Sequence, residues 1–131
     1  MSSTRKSILI VDDDPVCRDI TRRILTHELK EFDLVIMEAV NGVEALTMAA
    51  EQKPDLILMD IAMPVLSGTE AIVRLKGDPH TRSIPVVAIT AMVLARESED
   101  LLTLGFDDHI SKPIDYDLLV DTVKRYLTAE A

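Results

Sequence analysis

The chain has 131 residues, which is the usual length of one domain, 1–131, and enough to bury a hydrophobic core. Its net charge of −9 disfavours direct binding to nucleic acid or to an anionic membrane surface. Cys17 is the single cysteine, so an intrachain disulfide is excluded, and no apolar run is long enough for a signal peptide or a membrane-spanning helix. A cytoplasmic protein without membrane insertion is therefore expected.

Three continuous apolar runs predict buried strands, at 8–11 (ILIV), 56–59 (LILM) and 84–89 (IPVVAI). Continuous rather than alternating apolar residues are typical of a parallel sheet that is covered on both faces. Two weaker runs, at 34–38 (LVIME) and 106–111 (FDDHIS), predict flanking strands.

Amphipathic segments between these runs predict five helices. The first begins with Asp14 as the N-cap and Pro15 at the first helical position, followed by Val16, Ile20 and Ile24 at helical spacing. The second helix opens at Asn41-Gly42, and the third runs from about Gly68 to Lys76 with Gly77 as the stop. The fourth carries Leu94 and Leu101 and ends at Gly105, and the fifth begins near Asp115. Strand and helix alternate five times, which predicts an α/β fold with a doubly wound parallel sheet. Residues 1–6 and 128–131 are expected to be loose ends.

Polar residues follow the predicted strands at the points where these end. Asp12 and Asp13 follow the first run, Asp60 the third, Thr90 the fourth and Lys112 the fifth. Ligands of open α/β sheets bind at this carboxyl edge. Each residue alone also fits a structural role as a cap-flanking acid, a turn residue, a strand-end hydroxyl or a solvated lysine. Their joint position on one edge favours a functional site.

A small hard cation explains three aspartates at such an edge. Mg²⁺ prefers oxygen ligands and binds through one or two carboxylates plus a phosphate. Asp13 and Asp60 can supply these carboxylates, and Asp12 can hold a bound water. Lys112 and the Thr90 hydroxyl can hold phosphoryl oxygens, and a carboxylate beside Mg²⁺ can accept a phosphoryl group covalently.

Four segments, LIVDDDP, PDLILMDIAMPVLSG, IPVVAITA and ISKPI, together resemble the receiver domain of two-component response regulators over about residues 7–127. The resemblance implies a (βα)5 flavodoxin-like fold with strand order 2-1-3-4-5 and helices on both faces. It also implies that Asp60 is the phosphoacceptor, and that the donor is a sensor histidine kinase or a histidine phosphotransfer protein.

The resemblance further implies the roles of individual residues. Asp13, Asp60 and the backbone carbonyl of Ala62 would bind Mg²⁺, with Asp12 acting through water, and Mn²⁺ would substitute for Mg²⁺. The remaining phosphoryl-binding and switch positions are Thr90, Lys112, His109 and the amides of Ala62 and Ala91. The Lys112–Pro113 peptide bond would be cis.

Two departures from the family pattern stand out. His109 occupies a position that is usually Tyr or Phe, so it is either a partly buried polar ring or a group whose protonation modulates the switch, since an unperturbed histidine titrates near pH 6.5. Ala62 and Met92 occupy positions that tune phosphoryl lifetime. Both are nonpolar here, so neither can orient the hydrolytic water, and a long-lived phosphorylated Asp60 is expected.

The sequence favours a signalling switch over an enzyme with turnover. It would catalyse only its own phosphorylation and dephosphorylation, and would signal by docking on a downstream protein target, through its fourth and fifth helices and fifth strand, or by relaying the phosphate. A monomer or weak dimer is expected. One alternative is a receiver domain cut from a hybrid histidine kinase. A second is a Mg²⁺-dependent phosphatase of the haloacid dehalogenase type, but Ala62 cannot act as the general acid that such an enzyme needs. A third is a nucleotide- or flavin-binding module, which would need a glycine- or hydroxyl-rich loop where DDDPV stands.

Overall fold

Residues 5–91 and 95–128 are described by a computed structural model. Five strands and five helices alternate along the chain. The strands are β1 (Arg5–Val11), β2 (Asp33–Ala39), β3 (Leu56–Asp60), β4 (Val86–Thr90) and β5 (Asp108–Ser111). The helices are α1 (Pro15–Glu28), α2 (Gly42–Gln52), α3 (Gly68–Gly77), α4 (Ala95–Leu104) and α5 (Tyr116–Thr128).

All five strands are parallel and lie in the order β2-β1-β3-β4-β5, which confirms the expected topology. In the register, Val11 pairs with Met59, and Asp60 pairs with Ile89. The central strands β1, β3 and β4 therefore end close together, and the residues that follow them share one edge of the sheet.

The sheet has a separate apolar core on each face. Alternate strand residues point to opposite faces, so that Leu9 and Ile57 contribute to one core and Ile8 and Leu56 to the other. The first core is closed by α2, α3 and α4, and the second by α1 and α5. Continuous apolar runs are required because both faces are covered.

Helix starts follow the capping signals in the sequence. The Asp14 side chain accepts a hydrogen bond from the backbone of Val16, and the Asn41 side chain accepts one from that of Glu44. Ser67 and Glu70 form a capping box at the start of α3. These caps place the starts of α1 and α2 shortly after the carboxyl ends of β1 and β2, whereas α3 begins at Gly68, after a longer loop that follows β3.

Several boundaries and one helix face differ from the predictions. Val16 and Ile20 are 63% and 49% exposed, and α1 instead buries Thr21 and Leu25. The Thr21 hydroxyl can be buried because it donates to the carbonyl oxygen of Cys17 at 2.9 Å.

The predicted loose ends were partly wrong, because 5–6 pair with β2 inside β1 and Thr128 ends α5. Gly77 is the last residue of α3 rather than its stop, and Asp78 forms the C-cap. Strand β4 begins at Val86 rather than at 84, because the Ile84 amide is bonded in a turn to Thr81 and Pro85 has no N–H. Leu94 lies outside the described residues.

Candidate functional site

Three aspartates converge at the carboxyl edge of the sheet. Asp12 and Asp60 are 3% and 5% exposed, whereas Asp13 is exposed. One carboxylate oxygen from each lies within 4.8 Å of the others. Asp12 is fixed by its backbone N–H, which donates to the carbonyl oxygen of Ala39 at 3.1 Å, and by its side chain, which accepts from the Asp14 amide at 2.9 Å. The fold therefore brings together residues that are 48 positions apart in the chain.

A single ammonium group contacts both buried carboxylates. Lys112 Nζ lies 3.3 Å from Asp12 Oδ2 and 3.6 Å from Asp60 Oδ2. The backbone N–H of Lys112 donates to the Thr90 carbonyl oxygen at 2.6 Å, and the Lys112–Pro113 peptide bond is cis. The lysine is therefore anchored to the end of β4 while its side chain reaches towards β1 and β3.

The site carries more negative than positive charge, which favours the binding of a cation. Burial raises the pKa of Asp60, repulsion from Asp12 raises it further, and Lys112 lowers it. Burial alone would lower the pKa of Lys112, but attraction to Asp12 and Asp60 outweighs burial and raises it. Lys112 therefore stays charged at neutral pH, yet one ammonium does not offset three carboxylates.

The other predicted site residues lie around this cluster. Thr90 is half-buried at the end of β4, next to the strand that ends in Asp60, and Ala91 follows it in an exposed position. The backbone N–H of Ala62 donates to the Asp60 carboxylate, and its side chain is exposed. His109 is half-buried on β5 and pairs with Ala88 in the sheet. Met92 lies outside the described residues.

Two neighbours of the aspartates were not predicted as part of the site. The Cys17 thiol hydrogen-bonds to Asp12, and burial together with this bond raises its pKa to about 11, so the thiol stays protonated. Cys17 is half-buried and does not belong to either apolar core. Arg18 donates to the main-chain carbonyl of Asp12. Both residues lie in the first turn of α1, and that position next to the Asp12–Asp14 loop is the sequence signal that could have indicated them.

The geometry and the sequence both match a known family. Residues 8–124 match the family model of the response regulator receiver domain, so the chain belongs to that family. The protein is a phosphorylation-dependent switch of two-component signalling rather than a classical enzyme. The comparisons give no sign of a haloacid dehalogenase phosphatase.

Individual relatives cover nearly the whole chain. The polar-differentiation response regulator DivK of Brucella anthropi is 38% identical over 122 residues, which are 93% of this chain and 96% of that protein. A response regulator of Desulfuromonas acetoxidans has a structure with a TM-score of 0.80 and 33% identity, covering 93% of this chain and 96% of that one.

A third similar structure is the receiver domain of a sensor histidine kinase from Pseudomonas aeruginosa, described with a magnesium ion coordinated in its active site cleft. Its TM-score is 0.83 and its identity is 28%, with 95% of this chain and 98% of that chain covered. Within residues 5–91 and 95–128, no helix is long and apolar enough to cross a membrane.

Proposed function

We propose that Asp60 accepts a phosphoryl group from a phosphorylated histidine of a sensor kinase or phosphotransfer protein in the cytoplasm, with Mg²⁺ bound beside it. The main support for this proposal is that Asp12, Asp13 and Asp60 lie close together. Lys112 contacts Asp12 and Asp60. Asp13, Asp60 and the Ala62 carbonyl would bind the ion directly, and Asp12 would act through water.

The donor set fits magnesium on chemical grounds. The clustered side chains offer carboxylate oxygens alone, which a small hard divalent ion prefers, and Mn²⁺ takes the same ligand type. Two buried carboxylates whose oxygens lie within 4.8 Å of each other repel by at least about 3 kcal/mol at an effective dielectric constant of about 20. When bound, the ion would neutralise this charge and that of an incoming phosphoryl group.

The residues of the chain then share the work of the transfer. An Asp60 carboxylate oxygen attacks phosphorus while the bond to the donor imidazole nitrogen breaks, and the electron pair stays on that nitrogen. Lys112, the Thr90 hydroxyl and the amides of Ala62 and Ala91 would hold the phosphoryl oxygens. The Ala62 amide already points at the Asp60 carboxylate, so it needs little reorganisation to bind the transferred group.

A groove beside the aspartates suits the approach of the donor. It lies between α1 and the segment after β5, and Val16, Ile20, Pro113 and Ile114 contribute apolar surface to it. Lys112 also lines it, so a helix docked there could bring a histidine close to Asp60. This explains why α1 keeps apolar residues exposed. Output is proposed to follow through the α4–β5–α5 face, as docking on a target or onward relay of phosphate.

The proposal is tested by exposing the protein to acetyl phosphate with and without Mg²⁺ and measuring the intact mass. We expect a gain of one phosphoryl group that requires the ion and is lost in Asp60→Asn. Asp33→Asn is the matched control, because Asp33 is an exposed aspartate at the opposite edge of the sheet, paired with Arg5. A gain that persists in Asp60→Asn would contradict the assignment of the acceptor.

A further inference from the structure

The Arg18 side chain reaches back over the start of its own helix to the acidic loop. Its Nη1 donates to the main-chain carbonyl oxygen of Asp12 at 2.7 Å, and its Nε donates to Glu38 Oε1 at 3.0 Å. Helix geometry gives this direction, because side chains of a helix lean towards its N-terminus. The Arg18 side chain is only 15% exposed, so its bond to the Asp12 carbonyl is partly shielded from solvent, whereas the Glu38 side chain is 36% exposed.

The carbonyl that Arg18 holds belongs to the peptide group joining Asp12 to Asp13. The N–H of Asp12 is bonded to Ala39, and Glu38 is the residue before Ala39 on β2. The acidic loop is therefore tied to the end of β2 twice, once through the main chain and once through the guanidinium. The bond to Ala39 holds the peptide group before Asp12, and the bond to Arg18 holds the peptide group after it. Rotation of the Asp12–Asp13 peptide would turn the two carboxylates relative to each other, and the Arg18 bond opposes this rotation.

We infer that Arg18, held by Glu38, is a positioning residue for the Mg²⁺ site. It fixes the Asp12–Asp13 peptide so that the two carboxylates converge on Asp60. The inference rests on the proposed function, since it concerns affinity for the same ion. Groups that orient metal ligands from behind typically change metal affinity by about 10- to 100-fold.

Charge alone predicts the opposite change in Mg²⁺ affinity when Arg18 is replaced. A guanidinium close to three carboxylates weakens their attraction for a second cation, so its removal would tighten Mg²⁺ binding. Positioning and charge can therefore be separated by a variant that keeps the charge but not the geometry. Arg18→Lys does this, because an ammonium group is a point charge that cannot present two donors in a fixed planar fork.

Arg22 provides a matched control on the same helix. Its Nε lies 3.5 Å from the second carboxylate oxygen of Glu38, and its Nη2 bonds to Asp19. Arg22→Met thus removes one positive charge and one contact to Glu38, while the bond between Arg18 and Asp12 stays in place.

The experiment is isothermal titration of Mg²⁺ into the wild type, Arg18→Lys, Arg18→Met and Arg22→Met at one ionic strength, with far-ultraviolet circular dichroism to verify folding. We expect the Kd to rise about tenfold in Arg18→Lys, the lower end of the range for such groups. It should also rise in Arg18→Met, and change by less than about twofold in Arg22→Met.

The decision rests on Arg18→Lys, the variant that disturbs the fold least. An unchanged Kd in Arg18→Lys, or tighter binding in Arg18→Met, would overturn the inference and leave Arg18 only an electrostatic role. A wild type that binds no Mg²⁺ would instead overturn the proposed function, and the two failures are therefore distinguishable.

Discussion

Replacement of Gly68 by alanine tests how closely α3 is packed against the phosphoacceptor strand. A Cβ at this position would lie 2.5 Å from the carbonyl oxygen of Asp60 and 2.8 Å from the Cα of Ile61. Real Cβ atoms essentially never approach closer than 3.0 Å, so the backbone of β3 and the start of α3 must separate by about 0.5 Å. Neither obstacle is a flexible side chain that could move aside.

The cost follows from this overlap. Overpacking against rigid neighbours destabilises by about 1–3 kcal/mol, so the free energy of unfolding of Gly68→Ala should fall by this amount. The same displacement carries Asp60 away from Asp13. Since a misplacement of about 1 Å at a reacting group costs about 100-fold in rate, a shift of half that size should slow phosphorylation by acetyl phosphate about tenfold.

Gly77, at the other end of the same helix, is the matched control. A Cβ there has nothing within 4 Å, so Gly77→Ala should leave phosphorylation unchanged and stabilise the fold by about 0.5 kcal/mol. Urea unfolding followed by circular dichroism gives the free energies, and intact mass against time gives the rates. Wild-type stability and rate in Gly68→Ala would refute the argument that α3 fixes the position of Asp60.

Three further outcomes follow from the site and its loops. Because the folded protein holds the Asp60 proton more tightly than the unfolded chain, stability is lost as the pH rises through the raised pKa of Asp60. Without divalent ions, Asp60→Asn should be more stable than wild type at pH 7 and lose this advantage towards pH 4. Equal stabilities at pH 7 would contradict the conclusion that the ionised Asp60 carboxylate destabilises the fold. Val65 has φ = 70° and is 80% exposed, so Val65→Gly should raise the free energy of unfolding by about 1 kcal/mol in urea unfolding, and a loss would show that the strain is absent. Ala62→Asn should shorten the lifetime of phosphorylated Asp60 about tenfold, because the new amide can form one hydrogen bond of about 1.4 kcal/mol to the attacking water. Loss of the phosphoryl mass with time measures this lifetime. An unchanged lifetime would be evidence against a role of position 62 in orienting that water.

Much of the fold could be predicted because its local signals agree with its tertiary packing. The three continuous apolar runs indicated β1, β3 and β4, and two weaker runs indicated β2 and β5. The caps at Asp14 and Asn41 indicated the starts of two helices to the residue. The face of α1 could not be predicted, because Val16 and Ile20 have the same spacing as Thr21 and Leu25. Only the packing of α1 on the sheet decides which stripe is buried.

The clustering of the aspartates could also be predicted, since strand ends of a parallel sheet share an edge. The position of Lys112 at the same edge could be predicted as well. Its direct contacts with Asp12 and Asp60 could not, because they depend on how the chain leaves β5. The position of Arg18 next to the acidic loop was a signal in the sequence, but its bond to Glu38 was not, since Glu38 lies 20 positions away on β2. Contacts between side chains on different helices and strands depend on the folded structure, and the spacing of residues in the sequence does not indicate them.

The contact between Lys112 and Asp12 joins residues 100 positions apart. During synthesis, the two acidic strand ends therefore emerge long before the cation that offsets them, and the nascent chain carries an uncompensated pair of carboxylates until β5 is released. Long-range pairing of this kind forms late in folding. A chain that ends before Lys112 lacks this ammonium group, so the contacts of Lys112 with Asp12 and Asp60 can form only after β5 has been released.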